Sequence, residues 1–188
     1  MAAEHVMQIM TGFLPSRILS TAARRGVFEY LATEGPTSLD VLLEKCGMHP
    51  KAAIDVLDSL VLLGFLEREG VRETSVYKNT ELTELCMVNG SEFCIRGFSD
   101  WTNEMARMYF NLEQSMKTGL CHPERRGNEI FDEIYKSPES IEKFLDGMQG
   151  LQIGNFRKLA VTFDFSPYKS LCDIGGANAC LARELVKA

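Results

Sequence analysis

The feature that most constrains the fold is an amphipathic helical segment that begins at Pro50 and ends at Gly64. Its apolar side chains recur at spacings of three and four, which is the period of a helix buried on one face. Proline suits the first turn of a helix and glycine suits the residue after its end. The positions on this face are Ala53, Val56, Leu57, Leu60 and Val61.

The flanking segments extend this helix into a recognisable module. A shorter helical pattern ending at Cys46 precedes it. After it, residues 65–69 and 75–77 have the composition of two short strands joined by a turn at Gly70. Two helices followed by a hairpin indicate a winged-helix module over residues 17–85.

Most of the remaining chain shows helical spacing, so the predicted fold class is mainly α. Helices are expected within residues 14–33 and 91–118, over 128–136, and from Pro138 onward. Three regions follow from this division. They are a winged-helix domain at 1–90, a helical connector at 91–165, and the first strand and helix of a different architecture at 166–188. The family resemblance given below implies that this last region is the start of a Rossmann-like α/β domain, and that the connector lines an acceptor pocket.

The winged-helix module has the wrong charge for a DNA-reading domain. Between Thr37 and Cys86 it carries five basic and nine acidic side chains, a net charge of −4, and the whole chain carries −6. Protein–DNA affinity depends on cationic groups that displace counterions from phosphates. The sequence therefore predicts no nucleic-acid partner, and it favours a packing or dimerisation role for this module.

The last nineteen residues, SLCDIGGANACLARELVKA, predict a strand, a turn and a helix. The run from Leu171 to Ile174 is expected to be a buried parallel strand. Gly175 and Gly176 allow a tight turn and close approach of the backbone to a ligand. Asn178 is a suitable N-cap for a helix over 179–186, whose free N–H groups would face the ligand.

Two cofactor motifs compete for this turn. The dinucleotide fingerprint G-x-G-x-x-G matches one glycine of three. The acidic-x-G-x-G-x-G pattern of S-adenosylmethionine-binding methyltransferases matches Asp173 and Gly175 but meets Ala177 and Ala179 at its later glycines. A plain Gly-Gly turn without a ligand is the third interpretation.

The segment FDFSPYKSLCDIGGANACLA resembles the entry to the cofactor site of small-molecule O-methyltransferases. The resemblance extends over the chain and is to the dimeric class exemplified by acetylserotonin, plant phenolic and bacterial polyketide O-methyltransferases. It implies an S-adenosylmethionine-dependent enzyme that forms a homodimer through its N-terminal domain. It also implies a small, apolar or aromatic, hydroxylated acceptor.

The same resemblance implies roles for individual residues. Phe144 and Met148 match the Phe/Met pair that lines the acceptor pocket, although an apolar pair at this helical spacing usually belongs to a core. Trp101 and Met105 match further acceptor-pocket positions, and Tyr135 matches an aromatic residue that contacts the cofactor in some members. The implied cofactor-binding residues are Asp173, Gly175, Gly176, Ala177 and Tyr135.

The sequence departs from the family pattern in two ways. Alanine stands at 177 and 179, where an added methyl group disfavours a positive φ and weakens close contact with a ligand. The ribose-binding acid and the proton-accepting base are expected after Ala188. None of His5, His49 and His122 matches a catalytic position, so no catalytic residue is assigned. The chain is therefore expected to be the inactive N-terminal part of a longer enzyme.

Cysteine usage and terminal composition indicate a reduced, cytoplasmic protein. The six cysteines form no C-x-x-C pair, and Cys121-His122 has no partner pair at zinc spacing, so no metal is expected. The N-terminus lacks the basic start and apolar centre of a signal peptide, and no membrane association is predicted.

Two alternatives remain: a winged-helix interaction or regulatory protein without methyltransferase activity, and a relative that binds the cofactor poorly.

Overall fold

The computed structural model describes residues 2–91, 93–120 and 129–187. The chain forms two compact units, Met1–Asn103 and Glu104–Ala188. In the first unit lie α1 (Ala2–Thr11), α2 (Phe13–Arg24), α3 (Val27–Glu34), β1 (Thr37–Ser38), α4 (Leu39–Lys45), α5 (Pro50–Leu62), β2 (Leu66–Glu69), a 3₁₀ turn (Arg72–Thr74), β3 (Val76–Asn79) and α6 (Glu81–Cys86). Helix α7 (Gly97–Tyr109) crosses the boundary, and α8 (Leu112–Thr118), α9 (Glu129–Ile134), α10 (Pro138–Thr162) and α11 (Cys180–Lys187) follow.

The first unit packs its helices against a small antiparallel sheet with the strand order β1-β3-β2. The hairpin has the register Leu66 with Asn79 and Glu69 with Val76. Helix α5 buries the face that its periodicity predicts, through Ala53, Leu57 and Leu60. The core joins this face to side chains of α2, α3, α4 and the strands.

Tyr77 ties the sheet to α5 in the centre of this unit. Its ring is almost completely buried, and its hydroxyl donates to Asp58 Oδ1 at 3.0 Å. Arg68 holds the same carboxylate at 2.7 Å. Burial is the main cause that raises the pKa of Tyr77, and the hydrogen bond to Asp58 adds to it. The buried hydroxyl therefore remains a hydrogen-bond donor.

Three elements of the first unit were not predicted. Helix α1 has apolar residues that remain exposed, α6 is only six residues long, and β1 contains two residues, Thr37 and Ser38. Ser38 is the N-cap residue of α4, but its side chain makes no capping hydrogen bond. Such short or exposed elements carry little periodic signal.

The second unit is dominated by α10, a helix of 25 residues that packs against α11. Ser137 caps α10 by accepting from the Ser140 amide, and Pro138 occupies its first turn. Helices α7 and α8 are separate, so the predicted single stretch over 91–118 is divided at residues 110–111. Gly119 ends α8 with a φ of 68°, as the sequence predicts.

The strand predicted at Leu171–Ile174 is wrong. These residues have no strand conformation, and Leu171 and Ile174 are 51% and 95% exposed. A parallel strand is stabilised by hydrogen bonds to neighbouring strands. The described part of this unit contains no strand with which these residues could pair. Within the described ranges, no helix is long and apolar enough to cross a membrane.

Candidate functional site

A cavity of about 290 Å³ in the second unit is lined by most of the predicted site residues. One wall is the side of α10 that carries Phe144 and Met148. The opposite wall is the turn before α11, through Asp173, Gly175, Gly176 and Ala177. Residues separated by 25 or more positions thus line one space.

The α10 wall follows from helical geometry. Phe144, Met148, Gln152 and Phe156 are spaced by four, so they lie along one side of the helix. Phe144, Met148 and Phe156 are half-buried, so their apolar surfaces remain available to the cavity. This wall can contact an apolar ligand.

The turn wall combines one open glycine with one crowded glycine. Gly175 has a φ of 79°, and a Cβ added there would meet no heavy atom within 4 Å. A Cβ added at Gly176 would lie 2.6 Å from Asp173 Oδ2. Gly175 therefore leaves space for a ligand, whereas Gly176 leaves space for the Asp173 side chain.

The two alanines of the turn adopt the left-handed conformation. Their φ values are 44° at Ala177 and 57° at Ala179. For a residue with a Cβ this conformation costs about 1–2 kcal/mol. The sequence shows where glycine is missing, and the structure shows that the backbone still adopts the conformation that glycine favours.

Replacing Ala177 or Ala179 with glycine should therefore stabilise the protein. The relief of about 1–2 kcal/mol is partly offset by the greater freedom of glycine in the unfolded chain, about 0.4–1 kcal/mol. Urea unfolding of each variant measures the net gain. Ala160→Gly, inside α10, is the matched control and should lose about 1 kcal/mol. An equal loss at Ala177 and Ala179 would contradict the prediction.

Asn178 does not cap α11, contrary to the sequence prediction. Helix α11 begins at Cys180, and the Asn178 side chain instead donates to Gln149 Oε1 on α10 at 2.9 Å. Arg183 donates to the same oxygen at 2.6 Å. The turn itself is closed by the Ala179 amide, which donates to the Gly176 carbonyl. Gln149 was not predicted, because nothing in its sequence neighbourhood indicates a partner 29 residues away.

Family models account for most of the chain. A model of the O-methyltransferase dimerisation domain matches residues 7–89, and a model of the O-methyltransferase domain matches residues 109–188. The chain belongs to the O-methyltransferase family. Its first unit thus contains a dimerisation domain of this family, and the turn and α10 lie in the segment that matches the O-methyltransferase domain.

Individual relatives agree with this assignment. The tetracenomycin polyketide synthesis 8-O-methyl transferase TcmO of Streptomyces glaucescens is 31% identical over 184 residues, which are 97% of this chain and 52% of that protein. The acetylserotonin O-methyltransferase of Gallus gallus is 30% identical over 189 residues, 96% of this chain and 54% of that protein. The chain thus spans about half the length of the curated relatives it matches.

A solved structure shares the fold. The human N-acetylserotonin methyltransferase in complex with SAM superposes with a TM-score of 0.87 at 24% sequence identity. The match covers 100% of this chain and 56% of that chain. This similarity extends over both units of the chain.

Three of the residues implied by the family resemblance lie outside the 290 Å³ cavity or in the other unit. Tyr135 is 68% exposed and lines a neighbouring cavity of about 490 Å³, which Leu145 and Asn178 also line. Met105 is half-buried on the part of α7 that belongs to the second unit and is not among the residues lining either cavity. Trp101 lies four residues earlier on α7, in the first unit.

The described histidines and cysteines form no metal centre. His5 is exposed on α1, and His49 caps α5 by accepting from the Lys51 amide at Nδ1. Cys121 and His122 lie outside the described residues. Among the residues the structure describes, no three His, Cys, Asp or Glu side chains are grouped to hold an ion.

Proposed function

We propose that the protein transfers the methyl group of S-adenosylmethionine to a hydroxyl of a small apolar or aromatic molecule. The observation that carries this proposal is one cavity that is lined both by Phe144 and Met148 on α10 and by residues of the turn. The turn residues are Asp173, Gly175, Gly176 and Ala177. In the proposed arrangement, α10 contacts the acceptor and the turn contacts the cofactor. A common cavity suits two molecules that must react with each other.

The geometry of the turn fits a bound cofactor. Gly175 has open space where a side chain would otherwise lie. Asp173 lines the same cavity with an exposed side chain whose carboxylate lies against Gly176. Ala177 lines the same cavity, and Tyr135 lies at the neighbouring one. These residues would hold the cofactor, which supplies an electrophilic methyl group on sulfur when bound.

The apolar residues of the cavity position the acceptor. Phe144 and Met148 provide apolar surface that orients the acceptor and excludes water from it. The acceptor hydroxyl must lose its proton to a base as it is methylated. Neither described histidine, His5 nor His49, lies on the cavity, so neither of them is proposed as this base.

Calorimetric titration of the chain with S-adenosylhomocysteine tests the cofactor part of the proposal. We expect saturable binding that weakens about tenfold or more in Gly175→Val, because the added side chain occupies the open space and is strained at positive φ. Lys158→Ala, an exposed position on α10, is the control. An absence of saturable binding by the unmodified protein would contradict the proposal.

The acceptor part has its own test in the longer protein. Replacing Phe144 or Met148 with alanine removes apolar contact with the acceptor and leaves the turn residues in place. We expect a higher KM for apolar acceptors with little change in affinity for S-adenosylhomocysteine. Equal losses of acceptor and cofactor affinity would indicate that these side chains support the fold of the cavity instead.

We further propose that residues 1–90 are a winged-helix domain that forms a homodimer, that 91–165 connect it to the cofactor domain, and that this domain starts at 166. Helix α1 and the start of α2 expose a run of apolar side chains. They are Val6, Met7, Ile9, Met10 and Phe13, which are 55–72% exposed. A patch of this kind is typical of a protein interface.

Replacing Ile9 and Met10 with aspartate should shift the protein from dimer to monomer. Two charges placed in an apolar interface would each lose hydration without a partner. Light scattering at micromolar concentration measures the change. Leu62→Asp is the control, because Leu62 is 89% exposed on α5, away from α1 in the sequence. A monomeric unmodified protein would contradict the proposal.

The alternative function is that of a winged-helix interaction or regulatory protein without methyltransferase activity. The alanines at 177 and 179 are the observation behind this alternative, because their methyl groups disfavour the positive φ that both residues adopt. The calorimetric titration distinguishes the two functions. Micromolar affinity for S-adenosylhomocysteine would exclude the alternative.

A further inference from the structure

We propose that Gln149 is a positioning residue that holds the turn 175–179 in its ligand-binding shape. The inference rests on the proposed function for its effect on cofactor affinity, but the contacts that carry it do not involve the cofactor. Gln149 lies on α10 next to Met148, and both residues line the 290 Å³ cavity. One residue of the α10 wall thus also contacts the turn wall.

The contacts of Gln149 converge on a single atom. Its Oε1 accepts from Asn178 Nδ2 at 2.9 Å and from an Arg183 guanidinium nitrogen at 2.6 Å. Asn178 belongs to the turn and Arg183 to α11, so the two bonds fix both sides of the turn to α10. The bond from Arg183 is charge-assisted, which makes it the stronger of the two.

The location of Asn178 explains why this attachment matters. Asn178 stands between Ala177 and Ala179, the two residues with strained positive φ. Strained backbone persists only where the surrounding structure determines its conformation. The hydrogen bond to Gln149 provides such a constraint at the centre of the strained segment. It also explains how a turn with two alanines keeps the shape that its relatives' motif forms with glycines.

Two substitutions at Gln149 separate the role of its oxygen from that of its size. Gln149→Met keeps the length and helix propensity of the side chain but removes the acceptor. Gln149→Glu keeps an acceptor at the same position and adds charge attraction to Arg183. A positioning role predicts that Gln149→Met fails and Gln149→Glu succeeds, whereas a packing role predicts that both are tolerated, because both side chains are close to glutamine in size.

Hydrogen exchange of the Ala179 and Arg183 amides is the primary readout, because these amides donate to the Gly176 and Ala179 carbonyls within the turn. In Gln149→Met we expect both amides to exchange about tenfold faster, as the loss of these side-chain hydrogen bonds implies. In Gln149→Glu we expect rates within about twofold of the unmodified chain.

Gln152→Met is the matched control for this exchange measurement. It makes the same substitution one turn further along α10, where Gln152 Oε1 accepts from Asn155 on its own helix. We expect no change at Ala179 and Arg183. Equal rates in Gln149→Met and Gln152→Met would overturn the proposal.

The affinity for S-adenosylhomocysteine is the second readout and connects the turn to the proposed function. We expect Gln149→Met to bind about tenfold more weakly than the unmodified protein and Gln149→Glu to bind with similar affinity to it. The reason is that the apparent affinity falls when the binding conformation of the turn is less populated. If the unmodified protein does not bind, the proposed function fails while the exchange result still decides the role of Gln149. Faster exchange with unchanged affinity would overturn the ligand-positioning part of the inference.

Discussion

Replacing Glu184 with alanine should destabilise the second unit by about 3–5 kcal/mol, the usual cost of breaking a buried ion pair by removing one partner. The Glu184 side chain is 7% exposed and bonds Arg157 Nε on α10 at 2.7 Å. Lys187 bonds its other oxygen at 2.7 Å. Since the Arg157 side chain is only 18% exposed, loss of the Glu184 carboxylate leaves the guanidinium charge of Arg157 with little hydration to replace it.

Urea unfolding followed by circular dichroism measures this loss, and exchange of α11 amides assigns it to the second unit. Glu139→Ala is the matched control on α10, because its pair with Lys143 is 3.7 Å long and its side chain is 81% exposed. Such a surface pair contributes about 0–1 kcal/mol. The double variant Arg157→Met with Glu184→Leu should recover much of the loss, because apolar side chains need no charge partner. Equal effects of Glu184→Ala and Glu139→Ala would contradict the prediction.

The same ion pair predicts a pH dependence. Hydrogen bonds from Lys187 and then Arg157 hold the pKa of Glu184 below its ordinary value. The unfolded chain therefore binds this proton more readily than the native protein does. The contribution of Glu184 is complete above the ordinary glutamate pKa of about 4.3 and is lost as the pH falls through the lowered native pKa. Comparing acid unfolding of the unmodified protein and Glu184→Gln isolates this contribution.

Local periodicity was sufficient to predict long helices in each of the two units. Helix α5 buries the face marked by its apolar spacing, and α10 begins at the proline that suggested its start. The hairpin follows from two short strand-like runs around Gly70. In each case the determining interactions lie within a few residues of one another, so a single sequence contains them.

The polar contacts that shape the site could not be predicted in this way. Gln149 with Asn178 and Arg157 with Glu184 join residues 29 and 27 positions apart. Their pairing depends on how α10 packs against α11. A glutamine or arginine that makes such a contact has the same local sequence pattern as one that faces solvent on an exposed helix. The strand at Leu171–Ile174 failed for a related reason, because strand conformation needs a neighbour that local sequence does not specify.

Replacing Gly176 with alanine should disrupt the turn through one neighbour, the Asp173 side chain. An added Cβ would lie 2.6 Å from Asp173 Oδ2 and 2.7 Å from its Cγ, both shorter than any ordinary contact. Gly176 is not among the residues with positive φ, so alanine is compatible with its backbone. The expected cost is about 1 kcal/mol, the lower end for an overpacked site, because the Asp173 side chain is exposed and can rotate. It arises from displacing Asp173 and not from backbone strain.

A double-mutant cycle tests this cause. Gly176→Ala should weaken binding of S-adenosylhomocysteine about tenfold or more, because an overpacked turn must move the carboxylate or the backbone that faces the cavity. In the Asp173→Ala background the atoms at 2.6 and 2.7 Å are absent, so the same substitution should cost much less in unfolding free energy.

Gly154→Ala provides the opposite control on α10. An added Cβ there meets no heavy atom within 4 Å beyond the helix's own backbone. Alanine inside a helix should then stabilise by about 0.5–1 kcal/mol. Additive effects of Gly176→Ala and Asp173→Ala would contradict the proposed contact, because the second substitution removes the atoms with which the first one clashes. A non-additive result would show that Asp173 and Gly176 are fitted to each other, and that the turn needs its second glycine to accommodate a side chain of its own.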